Sequence, residues 1–442
     1  MKKRIALIAA VMILLAACGM AEGKTIGSAA DAEEFLAVFL GDHPEAAEGV
    51  WALTDQMEAA VRQMGGMAGL AKQLAPLGEL KGVQPAREAT VQGLQAFFVP
   101  CRFSLVSVDL ILAVQDGALA GLSTGVYSGK SEEGTADWYS LELPLPVPAL
   151  GDLPGILTLP KGEGPFPAVV LVHGSGSSDR DETMGLQKPF RDLAEGLAAR
   201  GIAVYRFDKR TFVFGSKLAN DTQLTLMEES VEDAVNAVQM LAKQERIDPD
   251  RIFVLGHSLG GTAVPAISRE MANAPARACG FIMMAASPRS LDVLMREQIA
   301  YLYSLRPEGT NGQEMDRILQ ELDRLQDLDA LAGDERIAGA YKTYWKWLAD
   351  YDALQAAGEI GEPVLLLQGE EDYQVTMEDF SLWQAAFGER DGWTLISYPG
   401  LTHAFTAGLK TEGAAVYARP GKVDSRVIGD VAGFILRNPA EP

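Results

Sequence analysis

The stretch Ile252-Phe253-Val254-Leu255-Gly256-His257-Ser258-Leu259-Gly260-Gly261 decides how this chain is read. Four apolar residues run into Gly-x-Ser-x-Gly and then into a helix-compatible segment. The spacing predicts a buried strand, a sharp turn carrying Ser258, and a helix. Such a turn lifts the serine hydroxyl out of the sheet edge. It strains the serine backbone, and a side chain at Gly256 or Gly260 would collide with the neighbouring strand or helix. A Gly-rich pentapeptide also arises by accident in a chain with 45 glycines among 442 residues, so its surroundings must decide the matter.

Outward from this turn, strand and helix alternate. Residues 168–172 form a continuous apolar run, as parallel sheets require, and 202–207, 252–255, 280–285, 363–367 and 394–398 continue the series. Helical patterns at 188–200 and 227–243 fall between them. This alternation predicts a doubly wound α/β sheet, introduced by strand-like segments at 138–145 and 156–159. The exception is 287–359, which reads as helical throughout, is acidic, and carries Tyr341, Tyr344, Trp345, Trp347 and Tyr351. Inserted between two sheet strands on the side where ligands bind, it is expected to cap the site.

An unassisted serine is a poor nucleophile; it needs a base, a carboxylate to orient that base, and donors for an oxyanion. The chain has four histidines. His43 lies in a turn near the amino terminus, and His173 and His257 lie in Gly-flanked loops at strand ends. His403 alone follows the last sheet strand, which makes it the candidate base. Between Ser258 and His403, the strand at 364–367 ends in Gln368-Gly369-Glu370-Glu371-Asp372, placing acids at the same sheet edge. Serine, acid and histidine then follow in the order of an α/β-hydrolase.

His173-Gly174-Ser175-Gly176, the Ser258 pentapeptide, residues 369–372 and the Thr402-His403 loop together resemble α/β-hydrolases of the esterase and dienelactone-hydrolase-like type, over roughly 136–438. The resemblance implies Ser258 as nucleophile, His403 as base and acid, Asp372 as the orienting carboxylate, and the Ser175 and Leu259 N–H groups as the oxyanion hole. Glu371 stays open as the alternative acid. Ser177-Ser178-Asp179-Arg180-Asp181-Glu182 and Phe207-Asp208-Lys209-Arg210 look like a subgroup signature, read as an ion-pair network bracing the site. Where related enzymes continue the second motif with Gly-x-Gly, this chain has Thr211-Phe212-Val213-Phe214-Gly215.

At the amino terminus, Lys2, Lys3 and Arg4 precede an apolar run at 5–15 and then Leu15-Ala16-Ala17-Cys18. A basic start, an apolar core too short to span a bilayer and small residues before a cut site define an export signal over 1–17. The arrangement resembles the lipobox of bacterial lipoproteins, which implies lipid on Cys18 and anchorage to the outer face of the bacterial cell membrane. Losing the signal removes three basic residues and no acid, taking the formal charge from -22 to -25 and disfavouring nucleic acid as a partner.

Residues 18–27 read as a tether and 28–130 as a small α+β domain, with 131–442 forming the hydrolase domain. The small domain is expected to hold a helix capped by Ser28, a second amphipathic helix over 44–64, and a four-stranded meander at 81–91, 95–106, 108–114 and 119–126. Asp116-Gly117 is its last hairpin turn. The shape looks like cystatin-like or nuclear-transport-factor-like folds. Cys101 and Cys279 fall in different domains and read as small buried hydrophobes.

The reading favours a serine carboxylesterase with a small-molecule ester substrate. A serine aminopeptidase, with Glu314, Asp316, Glu321, Asp323, Asp327 and Asp329 of the cap meeting a substrate ammonium, is the second option. A non-catalytic binding lipoprotein is the third. No metal-ligand cluster or phosphate-cradling loop is apparent, and no cofactor is expected.

Overall fold

A computed structural model describes residues 23–91, 94–103, 107–126, 137–306 and 312–438. The expected signal at 1–17, Cys18 and the 130/131 boundary lie outside the described residues. Two compact units divide the chain, the first reaching Ser131 and the second starting at Glu132, with Ala418–Pro420 grouped with the first. Among the described residues no helix is long and apolar enough to cross a membrane.

The second unit is built on an eight-stranded sheet. In chain order its strands are β1 (Trp138–Glu142), β2 (Gly155–Pro160), β3 (Phe166–Val172), β4 (Ala203–Phe207), β5 (Ile247–His257), β6 (Gly280–Met284), β7 (Val364–Gly369) and β8 (Trp393–Tyr398). Across the sheet they lie in the order β8-β7-β6-β5-β3-β4-β2-β1. The strands from β8 to β4 run parallel, and β2 and β1 add antiparallel at one edge. The chain order jumps between β3 and β5, so the sheet has a switch point where the carboxyl ends of neighbouring strands splay apart.

Burial explains the apolar runs. β6 and β7 are buried at every residue, because helices cover both faces. One face packs α2 (Glu232–Leu241), α3 (Leu259–Met271) and α4 (Met377–Phe387) through Ala234, Val238, Val264, Ile267 and Trp383. The other packs α1 (Pro189–Ala198) and α5 (Ser425–Arg437) through Phe190, Leu193, Leu197, Val427, Val431 and Ile435. Burying each of the valine, leucine, isoleucine and phenylalanine side chains contributes about 1.5–3 kcal/mol. The helix expected over 227–243 opens with a π-helical turn at Met227–Val231 before α2 proper.

The insertion between β6 and β7 differs from the all-helical expectation. Helices Leu291–Ser304, Gln313–Asp323, Lys342–Asp350 and Ala353–Ala357 are interrupted by a two-stranded antiparallel ribbon, Arg336–Ile337 against Ala340–Tyr341. Ala338 and Gly339 turn it with φ of 47° and 89°. Two consecutive left-handed residues suit the twist of a tight hairpin, and helical periodicity gives no sign of them.

In the first unit, Ser28 caps the helix Ala29–Phe39 by accepting the Asp31 N–H. The single helix expected over 44–64 is instead a 3₁₀ turn at Pro44–Ala47 and a separate helix at Asp55–Gln63 capped by Thr54. Between them Trp51 pairs with Lys24 as a β-bridge. The tether expected over 18–27 is correspondingly shorter: Lys24 and Ile26 donate their N–H groups to Val50 and Gly117, at 2.7 and 2.8 Å, and Ile26 is buried. Among the described residues the sheet has five strands rather than four. Pro85 breaks the expected 81–91 strand into Leu80–Val83 and Arg87–Val91, and both pair with Leu94–Phe103. The Asp116-Gly117 turn has φ of 51° and 81°, the two left-handed positions that this dipeptide favours. Cys101 and Cys279 are free, and burial pushes each thiol up to about 12.

Candidate active site

β5 ends at His257 and α3 begins at Leu259, so Ser258 alone makes the turn, with φ 55° and ψ -122°. Its N–H donates to Met284 O at 2.8 Å, which fixes the turn to β6. A Cβ at Gly256 would lie 2.2 Å from Gly260 O, and one at Gly260 would lie 2.3 Å from Val172 O. Both distances are impossible contacts, so the elbow requires glycine at these two places.

Beyond β7, Asp372 is buried with each carboxylate oxygen occupied. Oδ1 accepts the N–H groups of Gln374 and Val375 at 2.7 and 3.0 Å. Oδ2 accepts from Gln368 Nε2 at 3.3 Å and meets His403 Nδ1 at 2.6 Å. The carboxylate is acceptor-only, so Nδ1 carries the proton and Nε2 is left with its lone pair. Glu371 turns elsewhere and accepts the Lys410 N–H at 3.0 Å. Of the two acids, Asp372 reaches the ring. His403 also packs against His257, with ring centroids 4.6 Å apart, which sets it beside the elbow. Among the described residues no hydrogen bond joins the Ser258 hydroxyl to His403; such contacts commonly close only when substrate binds.

Ser175, Leu259 and Ser258 line one cavity of about 510 Å³. Among the described residues the Ser175 and Leu259 N–H groups have no protein acceptor. The loop bearing Ser175 is pinned on both sides of it: Gly174 N–H donates to Glu182 Oε1 at 2.7 Å. The buried Lys209 ammonium donates to Gly174 O and Gly176 O at 2.8 and 3.1 Å.

The insertion supplies the far wall through Leu291, Leu294, Tyr341, Tyr344, Trp345, Leu348 and Tyr351. Trp347 does not line the cavity and stacks on Tyr351 at 4.9 Å. The polar ends of the lining aromatics are already spent. Tyr341 donates to Ala219 O, Tyr351 to Thr262 O and Trp345 to Ile337 O, at 3.0, 2.9 and 2.9 Å. These rings and the leucines of the insertion make an apolar wall, beside polar lining from Thr211, Asp221, Glu229, Arg289, Gln298 and Gln374. Tyr344 donates to Glu229 Oε2 at 2.6 Å, and Lys209 Nζ lies 3.1 Å from Glu229 Oε1, so this lining carboxylate is neutralised. None of the described acids proposed to meet an ammonium lines the cavity; Asp323, for example, is paired with Arg296.

The charged motifs brace the floor, as expected. Arg180 holds Asp208 with two bonds of 2.9 Å, and Arg210 holds Asp233 at 2.8 and 2.7 Å. Asp181 pairs with Arg206 and Lys188. The departure from Gly-x-Gly is a short helix, Arg210–Val213. His173 is buried with Nε2 2.9 Å from Asp179 O, and burial holds its pKa down. His43 is exposed and meets Glu45. The sequence places Glu182 in the bracing motif without showing its partner His257, and nothing local marks Glu229.

The family model for the alpha/beta hydrolase family matches residues 169–417. The chain belongs to this family. Among curated members it is similar to esterase EstD of Thermotoga maritima, with 39% identity over 285 residues, 64% of this chain and 66% of that protein. It also resembles dipeptidyl aminopeptidase BIII of Pseudoxanthomonas mexicana, with 26% identity over 247 residues, 55% of this chain and 31% of that protein. This alpha/beta hydrolase thus spans just under two thirds of the first relative and about a third of the second. Among solved structures, Est1E from Butyrivibrio proteoclasticus aligns with 67% of this chain and 98% of its own, at 16% identity and a TM-score of 0.43.

Proposed function

We propose that the chain is a serine carboxylesterase that works through an acyl-enzyme on Ser258. The observation that carries this reading is the buried Asp372–His403 pair, 2.6 Å apart, beside a strained serine that opens into a cavity with an apolar wall. His403 Nε2 takes the proton as Ser258 Oγ attacks the ester carbonyl. The oxyanion is met by the Ser175 and Leu259 N–H groups. His403 then returns the proton to the departing alkoxide, which leaves as alcohol, and a water deprotonated by the same nitrogen releases the acid. Asp372 stays ionised and holds the imidazole in the tautomer this needs. One lost oxyanion donor raises the barrier by about 3 kcal/mol.

The 39% identity to an esterase supports the ester chemistry. Of the two acids that line the cavity, Asp221 and Glu229, Glu229 already has Lys209 and Tyr344 and is not free to bind a substrate ammonium. The substrate is a small or medium ester with an apolar acyl or alkyl group. We further propose, from the 1–18 sequence, that Cys18 carries lipid and anchors the enzyme outside the cytoplasm, and that the amino-terminal unit is cystatin-like or nuclear-transport-factor-like in shape.

A fluorophosphonate probe tests the reading together with paired nitrophenyl butyrate and aminoacyl anilide assays. Labelling that is lost in Ser258→Ala, with ester turnover well above anilide turnover, is the expected result. Equal labelling of the variant, or strong anilide turnover with negligible ester turnover, would overturn it.

A further inference from the structure

We propose that Glu182 and His257 form a second carboxylate–histidine pair, whose work is to set the register of the oxyanion loop, the nucleophile turn and the base loop. The inference rests on the esterase reading and names positioning residues for it. Glu182 sits at φ 50°, a left-handed conformation that costs a residue with a side chain, and its carboxylate is buried. Its two oxygens go to different loops. Oε1 accepts Gly174 N–H at 2.7 Å, orienting the peptide immediately before Ser175. Oε2 lies 3.0 Å from His257 Nδ1, a charge contact off the ideal hydrogen-bond line. His257 directly precedes Ser258, and its Nε2 reaches across to the His403 carbonyl oxygen at 2.9 Å. One buried side-chain pair therefore touches the backbone of the oxyanion loop, the turn and the base loop.

Both nitrogens of His257 face acceptors, and a neutral imidazole has one N–H to offer. The doubly protonated ring answers both. Burial opposes the charge, yet the adjacent Glu182 carboxylate raises the His257 pKa, and the imidazolium holds Glu182 below its ordinary range. Among the described residues, the other charged or titratable groups around the pair are His173, Asp179 and Lys209 on the Glu182 side and Asp372 and His403 on the His257 side. His173 is held towards its neutral form, so Glu182 belongs to His257.

Geometry and charge make opposite demands on two conservative variants. Glu182→Gln removes the charge but keeps the reach: its carbonyl accepts from Gly174 and its amide donates to a neutral His257, which still donates to His403 O. Glu182→Asp keeps the charge and falls one methylene short. The measurement is steady-state hydrolysis of nitrophenyl butyrate, with kcat normalised to sites titrated by a fluorophosphonate, so loss of folded protein does not count. Expected are a fall of roughly 10- to 100-fold in kcat for Glu182→Asp with KM within about threefold, as a displacement of about 1 Å in active-site geometry produces, and near wild-type kcat for Glu182→Gln. Per-site kcat within twofold of wild type in both, or an equal loss in both, would overturn the proposal. Wild-type protein that neither labels nor turns over would instead sink the esterase reading.

Discussion

Asp372 Oδ2 and His403 Nδ1 lie 2.6 Å apart, with both side chains buried, while the adjacent Glu371 points its carboxylate to the backbone of Lys410. The contact decides between two neighbouring acids that the sequence leaves equivalent. It also fixes which ring nitrogen is free to face the serine.

Asp372→Asn is therefore expected to lower kcat by about 10³- to 10⁴-fold, because an amide in that place favours the wrong tautomer. Glu371→Gln should leave kcat within about twofold. Parallel steady-state assays of the two purified variants check the assignment, and a larger loss in the Glu371 variant would reassign the acid.

The legibility of this site follows the range of the interactions that define it. The elbow could be read directly, because strand, turn and helix are local and glycine at 256 and 260 is a local steric demand. The base could be reached by order along the chain, since one late histidine follows a sheet strand. Which acid meets it depends on how the turn after β7 throws two consecutive side chains, which no periodicity records. Glu182 and His257 meet only because β3 and β5 are neighbours in the sheet. In the first unit the expected helix over 44–64 failed for the same kind of reason: Trp51 is taken by a bridge to Lys24.

Gly260→Ala tests the elbow. Its Cβ would fall 2.3 Å from Val172 O and 2.5 Å from His173 O, so α3 must move away from β3. Overpacking of this kind costs about 1–3 kcal/mol, and a shifted turn also misplaces Ser258 and the Leu259 N–H. A lowered Tm together with a loss of kcat of at least 10-fold is the expected result by thermal melt and ester assay.

On the esterase reading, the cavity wall is expected to limit acyl length. Leu294→Trp, on the insertion helix Leu291–Ser304, adds bulk to the cavity lining. It should lower kcat/KM for a nitrophenyl octanoate by more than 10-fold and change acetate hydrolysis little, since each methylene in such a pocket is worth about 1–3 kcal/mol. A chain-length series in wild type and variant checks it.

The Glu182–His257 pair gives stability a pH window. Glu182 has a lowered pKa in the folded chain, so its contribution is present above the ordinary carboxylate value of 4.5 and fades as pH falls through the lowered value. His257 has a raised one, so its contribution is full below 6.5 and is lost as pH climbs through the raised value. The Tm difference between wild type and a Glu182→Gln/His257→Asn double variant should therefore be largest between about pH 5 and 6.5 and shrink on either side. Melts across that range measure it.

On the esterase reading, Ser258 carries the acyl group. Rapid mixing with nitrophenyl butyrate, followed by acid quench and peptide mass mapping, tests it most directly. Expected are a burst of one nitrophenolate per chain and a butyryl adduct on the peptide containing Ser258, both absent in Ser258→Ala. Steady turnover with no adduct at Ser258, or an adduct elsewhere that survives Ser258→Ala, would contradict it.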